Sequence, residues 1–236
     1  MIKKPFRFKQ FDIYQDQTAM KVGTDGVLLG AWANLAQGNK VLDIGTGTGL
    51  ISLMLAQRFK NVRIDAVEID VDAYHQAKEN FSNSIFSNQI TIYQNAIQSF
   101  DTTSKYDLIV SNPPFFKVND RVELDARKQA RQQETLTFSD LLTKTSNLLA
   151  ENGLASFVIP FDLEDDFLNQ AQQVKLYPKR IVYVKGNNDA PIKRVLIELS
   201  FDQIIKVEET QLIIEVARHR YTDDYINLTK DFYLKM

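Results

Sequence analysis

From Lys40 onward, apolar and polar positions alternate in two kinds of block. KVLDI, RIDAVEI, QITIYQN and YDLIVSN are short apolar runs of strand length. GLISLMLAQRF and VDAYHQAKENFSNSIF lie between the first three, and their apolar residues recur at helical spacing. FSDLLTKTSNLLA repeats the helical pattern, GLASFVIP reads as a fifth strand from Gly153 to Pro160, and LEDDFLNQAQQVKL as a further helix. RIVYVKG and RVLIELSF read as two late strands joined by the loop Asn187 to Pro191. Ahead of Lys40, TDGVLLGAWANL reads as a helix with Thr24 as its cap and Asp25 in its first turn. Strands alternating with helices predict an α/β fold, a mostly parallel twisted sheet with helices on both faces. The two late strands, with no helix between them, predict an antiparallel edge. The segment from Lys117 to Thr135 carries no apolar stripe and reads as an exposed helix or a loop.

Composition narrows the chemistry. The 236 residues suit one α/β domain with elaborations, without repeat or linker. Cysteine is absent, which excludes disulfides, thiolate metal sites and cysteine nucleophiles. His75 and His219 are the only histidines, so zinc chemistry and serine hydrolysis are poorly served, and no metal is expected. His75 reads as a surface residue on its helix. The basic N-terminus has no apolar run behind it and no stretch is long enough to span a bilayer, so a cytoplasmic protein without membrane contact is expected. A formal charge of -2 requires any nucleic-acid site to be a local basic patch.

The densest signal is Asp43-Ile44-Gly45-Thr46-Gly47-Thr48-Gly49, between a strand and a helix. Gly45, Gly47 and Gly49 permit a tight turn and close approach to a ligand. The third glycine comes one residue too early for a dinucleotide loop, and Asp43 would repel a phosphate. The ammonium and sulfonium of S-adenosyl-L-methionine suit that carboxylate. Glu68 ends the next strand, about 20 residues after Gly45, where an acid binds ribose hydroxyls, while Asp70 reads as a helix cap. Asn95-Ala96 ends the third strand, within reach of an adenine amino group. Ser111-Asn112-Pro113-Pro114-Phe115-Phe116 ends the fourth. Its prolines offer carbonyls without N–H donors, Asn112 adds an acceptor, and Phe115 can stack on a planar group. Asn112, Pro113, Pro114 and Phe115 are thus candidates to hold a planar amino group.

DIGTGTG, VEID and SNPPFF together resemble the Rossmann-like class I methyltransferases of amino-group nitrogens, over roughly Val41 to Phe116. FKQFDIYQDQTAMKVGTDGVLLGAW and LTKDFYLKM, at the two ends, are similar to a bacterial family that makes N6-methyladenine beside the anticodon of valine tRNA. The resemblance implies a single methyltransferase domain over 1–236, with 1–35 as an extension on the cofactor and substrate side of a core at 36–236. It places Lys21, Thr24 and Asp25 near the cofactor and the Phe6 to Phe11 segment near the mouth. At position 95 relatives often have Asp; Asn keeps the acceptor and loses the charge. The implied partner is tRNA, bound by a chain expected to be a monomer. Phosphate contacts are assigned to Lys3, Lys4, Arg7 and Lys9 and to Arg121, Arg127, Lys128 and Arg131, with Lys179, Arg180, Lys185, Lys193 and Arg194 as a third patch. The Lys117 to Thr135 segment is expected to close over the target base. Rival readings are N5-methylation of a protein glutamine, methylation of adenine in DNA, and a cofactor-binding protein without turnover.

Overall fold

The computed structural model describes residues 4–18, 20–114 and 136–235. A hairpin of β1 (Phe6–Arg7) and β2 (Asp12–Ile13) precedes α1 (Thr24–Trp32). The alternating core then runs β3 (Lys40–Ile44), α2 (Leu50–Arg58), β4 (Arg63–Glu68), α3 (Val71–Ser82), β5 (Ile90–Gln94) and β6 (Tyr106–Ser111). From residue 136 come α4 (Phe138–Leu148), β7 (Leu149–Pro160), α5 (Glu164–Gln173), β8 (Tyr177–Asn187) and β9 (Ile192–Ser200). β10 (Glu208–Ala217), β11 (Arg220–Tyr221) and α6 (Asp223–Thr229) complete the described chain.

Nine strands form one sheet in the order β11-β10-β8-β9-β7-β6-β3-β4-β5. β3 to β7 run parallel, with β4 and β5 on one side of β3 and β6 and β7 on the other. Strand order therefore reverses beside β3, and a ligand crevice is expected outside the carboxyl ends there. Val41 packs in the core shared with α1 and α2, and the next residue, Leu42, packs on the opposite face with Leu141 and Phe167. Burial on both faces explains why KVLDI reads as a continuous apolar run.

The late hairpin is antiparallel, as its sequence suggests, yet it is no edge. β9 runs between β7 and β8, antiparallel to both, and β8 is further covered by parallel β10. β10 escapes the hydrophobic pattern because EETQLIIEVA is mostly polar at its first positions and exposed at both ends. α1 is capped at Gly23, so Thr24 is its first helical residue and not its cap. Asp70 does cap α3, accepting from the Ala73 N–H at 2.8 Å. β7 begins at Leu149, ahead of Gly153, with a register irregularity opposite Tyr106 to Leu108.

The N-terminal aromatics are structural. Phe8 stacks on Tyr233 at 5.7 Å between ring centroids and touches Phe11, and Phe8 and Phe11 are buried. The N-terminal hairpin thereby locks against the end of the chain. Among the described residues, no helix is long and apolar enough to cross a membrane, and no cluster of ligating side chains could hold a metal ion.

Candidate active site

β3 ends at Ile44, and the chain reverses through Gly45, Gly47 and Gly49 at φ of 70°, 58° and 82°. These are left-handed angles, which side chains with a Cβ adopt at a cost. A Cβ on Gly45 or Gly47 would meet nothing within 4 Å, so both glycines leave room above the loop. Gly49 differs. A Cβ there would sit 2.3 Å from the Phe81 ring, and Gly49 is buried as the N-cap of α2. It lets α2 pack closely on α3, and it is absent from the lining of both cavities described below.

Two carboxylates hold the loop from beneath. Asp43 is fully buried, and its Oδ2 accepts from Thr46 Oγ1 at 2.6 Å and Ser52 Oγ at 2.7 Å. Its Oδ1 is buried without a hydrogen-bond partner among the described residues. Burial, reinforced by nearby Glu68, pushes the Asp43 carboxyl up to about 6. Glu68, at the end of β4, accepts from the Gly47 N–H at 2.8 Å and the Asp70 N–H at 2.9 Å. Burial raises this carboxyl too, against the lowering effect of those two bonds. An ionised carboxylate has about four acceptor positions, so Glu68 keeps capacity for ligand hydroxyls.

Above the loop, a cavity of about 400 Å³ is lined by Gly45, Gly47, Lys21, Thr24, Asp25 and Asn112, together with Met20 and Arg194 among others. The start of α1, the glycine loop and the turn after β6 thus meet in one space. A second cavity, about 40 Å³, shares Gly45 and is lined by Val67, Asn95 and Ala96. The Asn95 N–H donates to the Glu68 carbonyl at 2.9 Å, and its side-chain amide reaches the Ser99 carbonyl at 3.5 Å. Its Oδ1 is an acceptor, the kind of atom an adenine amino group requires.

The segment before α1 is built as a strap over this loop. Asn80, buried on α3, accepts from the Tyr14 N–H at 2.9 Å and donates to the carbonyls of Tyr14 and Thr48 at 2.8 and 2.9 Å. Lys21 turns its ammonium onto the carbonyls of Gln15 and Thr18. Nothing in the sequence pattern marks Asn80, because it reads as a polar helix residue. Thr46 and Ser52 were legible in principle, as hydroxyls flanking Asp43 in the loop and the first turn of α2.

At the end of β6, Ser111 is buried and donates to the Ile44 carbonyl at 2.8 Å, fixing the turn to β3. Asn112 follows in the cavity wall, its amide 3.9 Å from Met20 Sδ. Pro113 is buried and Pro114 exposed. Phe115 lies outside the described residues, as do Lys3, Arg121, Arg127, Lys128, Arg131 and the whole Lys117 to Thr135 segment.

The basic candidates divide. Lys4 is exposed, and Arg7 forms a solvent-exposed pair with Asp12 at 3.8 Å. Lys9 instead donates to the Lys230 carbonyl at 2.6 Å, fastening the N-terminus to the C-terminal segment. Arg180 is withdrawn from the third patch: it grips Glu198 at 2.9 and 3.2 Å and lies over the Trp32 ring at 4.2 Å. The Phe6 to Phe11 segment lines neither cavity. His75 is exposed on α3, as its sequence position suggests.

A sheet of this order, with a glycine loop facing an Asn-Pro-Pro turn across the switch point, defines a class I methyltransferase. The solved structures agree on the fold. A protein from Agrobacterium tumefaciens described as a predicted O-methyltransferase superposes with TM-score 0.71 at 14% identity, covering 88% of this chain and 96% of that one. A glycopeptide N-methyltransferase solved with S-adenosylmethionine superposes with TM-score 0.55 at 10% identity, covering 78% and 90%.

The methyltransferase small domain family model matches residues 19–171. Proteins named tRNA1(Val) (adenine(37)-N6)-methyltransferase are 46% identical in Parabacteroides distasonis, covering 98% of each chain, and 46% identical in Christiangramia forsetii, covering 100% of each. A relative of the same name in Vibrio campbellii is 40% identical over 99% of this chain and 97% of its own. The chain belongs to this family of methyltransferases.

A methyltransferase requires a methyl donor, and the residues present fit S-adenosylmethionine. The loop leaves open space where a Cβ would stand, and two carboxylates lie beneath it to balance a cation. The cavity is of ordinary size for a small-molecule site.

Proposed function

We propose that this protein methylates the exocyclic N6 of an adenine in tRNA, beside the anticodon of valine tRNA. The observation that carries the reading is the placement of Asn112 in the wall of the same cavity as Gly45 and Gly47. A target amino group held by Asn112 is then beside the methyl donor, and the names borne by the relatives supply the polymer.

The roles follow from the chemistry of each group. Lys21, Thr24 and Asp25 would hold the methionine end, Glu68 the ribose, and Asn95 with Ala96 the adenine of the donor. When bound, S-adenosylmethionine supplies a methyl group on a positively charged sulfur. The Asn112 side-chain oxygen and the Pro113 carbonyl accept the two hydrogens of the target amino group. That orientation points the nitrogen lone pair along the line of displacement and weakens its delocalisation into the ring. Placement of this kind is worth several kcal/mol of barrier. Among the described residues that line the cavity, Asp25 is the one carboxylate and none is a histidine, and Asp25 is paired with Arg194. The spent proton therefore passes to solvent. A base in an anticodon loop is already unpaired and can be splayed into such a site without the cost of opening a duplex.

The test is methyl transfer from labelled S-adenosylmethionine to unmodified total tRNA, with total protein as the parallel acceptor. Nucleoside mass analysis should find N6-methyladenosine in the tRNA. Label in protein glutamine alone would replace this reading by the side-chain methyltransferase.

A further inference from the structure

β9 is the one strand of the sheet's middle that runs backwards, so its amino end lies at the edge where the parallel strands present their carboxyl ends. Arg194, near that amino end, is paired in register with Pro160 at the close of β7. It lines the large cavity together with the glycine loop and Asn112. There Arg194 Nε donates to Asp25 Oδ2 at 2.7 Å, and Nη1 donates to the Lys193 carbonyl at 2.9 Å. The two side chains are 36% and 29% exposed, so the pair stands in a partly desolvated wall, not on an open face.

We propose that Arg194 is a positioning residue of the methyl-donor site, acting through Asp25. The inference rests on the reading of Asp25 as a donor contact. Asp25 sits in the first turn of α1 and lines the cavity. The guanidinium, itself held by the Lys193 carbonyl, ties the Asp25 carboxylate into the cavity wall. Arg194 also neutralises part of the Asp25 charge, so that the wall accepts the zwitterionic methionine end without a net excess of either sign. A planar guanidinium does this through two fixed N–H directions, which an ammonium lacks. No sequence-level patch analysis finds this role, because Arg194 reads as one more basic residue after Lys193.

The experiment measures S-adenosylmethionine binding by calorimetry, in the absence of RNA, for the intact chain and for Arg194→Gln, Arg194→Lys and Asp25→Asn. Loss of a half-exposed ion pair of about 1 kcal/mol corresponds to binding weakened about five-fold in Arg194→Gln. Arg194→Lys should recover part of that loss. In steady state the KM for the donor should rise by the same factor, and the KM for tRNA should change less. Combined with Asp25→Asn, the Arg194→Gln loss should largely disappear, since the partner is already gone. Donor binding weakened by Asp25→Asn and untouched by Arg194→Gln would overturn the role of Arg194. A rise in the tRNA KM alone would reassign Arg194 to the RNA. Donor binding indifferent to Asp25→Asn would instead remove the reading of Asp25 on which the inference stands.

Discussion

Asn112 and Asp43 show how single side chains divide the work of the site. Asn112 carries no charge, and its amide nitrogen faces Met20 Sδ at 3.9 Å, while its oxygen is an acceptor that suits a target amino group. Asn112→Ala should leave donor binding intact and lower kcat about a hundred-fold, the cost of misplacing a reacting group; loss of donor binding in equal measure would assign Asn112 to the cofactor instead. Asp43 works from below, with its charge buried. Its carboxyl is raised to about 6 by desolvation, so the folded chain holds that proton more tightly than the unfolded one. The contribution to stability is full below the unfolded value of 3.8 and is lost as pH rises through about 6. Denaturant titrations of the free protein should show stability falling across that window, and Asp43→Asn should flatten the fall. A cationic ligand prefers the ionised form, so S-adenosylmethionine should bind more tightly as pH rises from 5 to 7, and binding insensitive to pH would separate Asp43 from the ligand's charge.

Between residues and fold stand the loop and its flanking elements. Gly47 and Gly49 have similar backbone angles and different neighbours. Gly47→Ala meets open space and should cost only the left-handed conformation, about 1 kcal/mol. Gly49→Ala adds a clash with the Phe81 ring and should cost on the order of 3 kcal/mol, visible as a markedly lower Tm of the free protein. Equal losses would refute the division into a ligand glycine and a packing glycine. The sequence made the loop legible and this division illegible, because spacing reports that glycines are needed and not what each one meets. The same holds along the sheet. Alternation of strands with helices reveals β3 to β7, since burial on both faces leaves a continuous apolar run. It does not reveal that β9 inserts beside β7, which is decided by long-range pairing, nor β10, whose polar start hides it. Thr24 and the N-terminal aromatics mislead for a related reason. Capping and stacking residues have the same composition whether they serve a helix end, a ligand or the C-terminal segment.

The molecule as a whole carries a net charge of -2, so attraction to RNA has to come from where its cations stand. Arg180 is spent on Glu198 and Trp32, Lys9 on a carbonyl, and Arg194 on Asp25. At the described part of the N-terminus that leaves Lys4, with Arg7 in an exposed pair that water and salt readily loosen. Arg7 belongs to a hairpin anchored by Phe8 and Tyr233 and so stands on a fixed base, and Lys4 lies two residues ahead of its first strand. A cation on a fixed base loses little entropy when it meets a phosphate. Reversing the charge at Lys4 and Arg7 should therefore weaken tRNA binding and reduce the slope of log affinity against log salt by about 1 to 2, the range for one or two released counterions. Donor binding should be unaffected, because neither residue lines the cavity. A salt slope unchanged by the two reversals would remove the N-terminal hairpin from the RNA-binding surface and shift the electrostatic contribution to cations elsewhere on the chain.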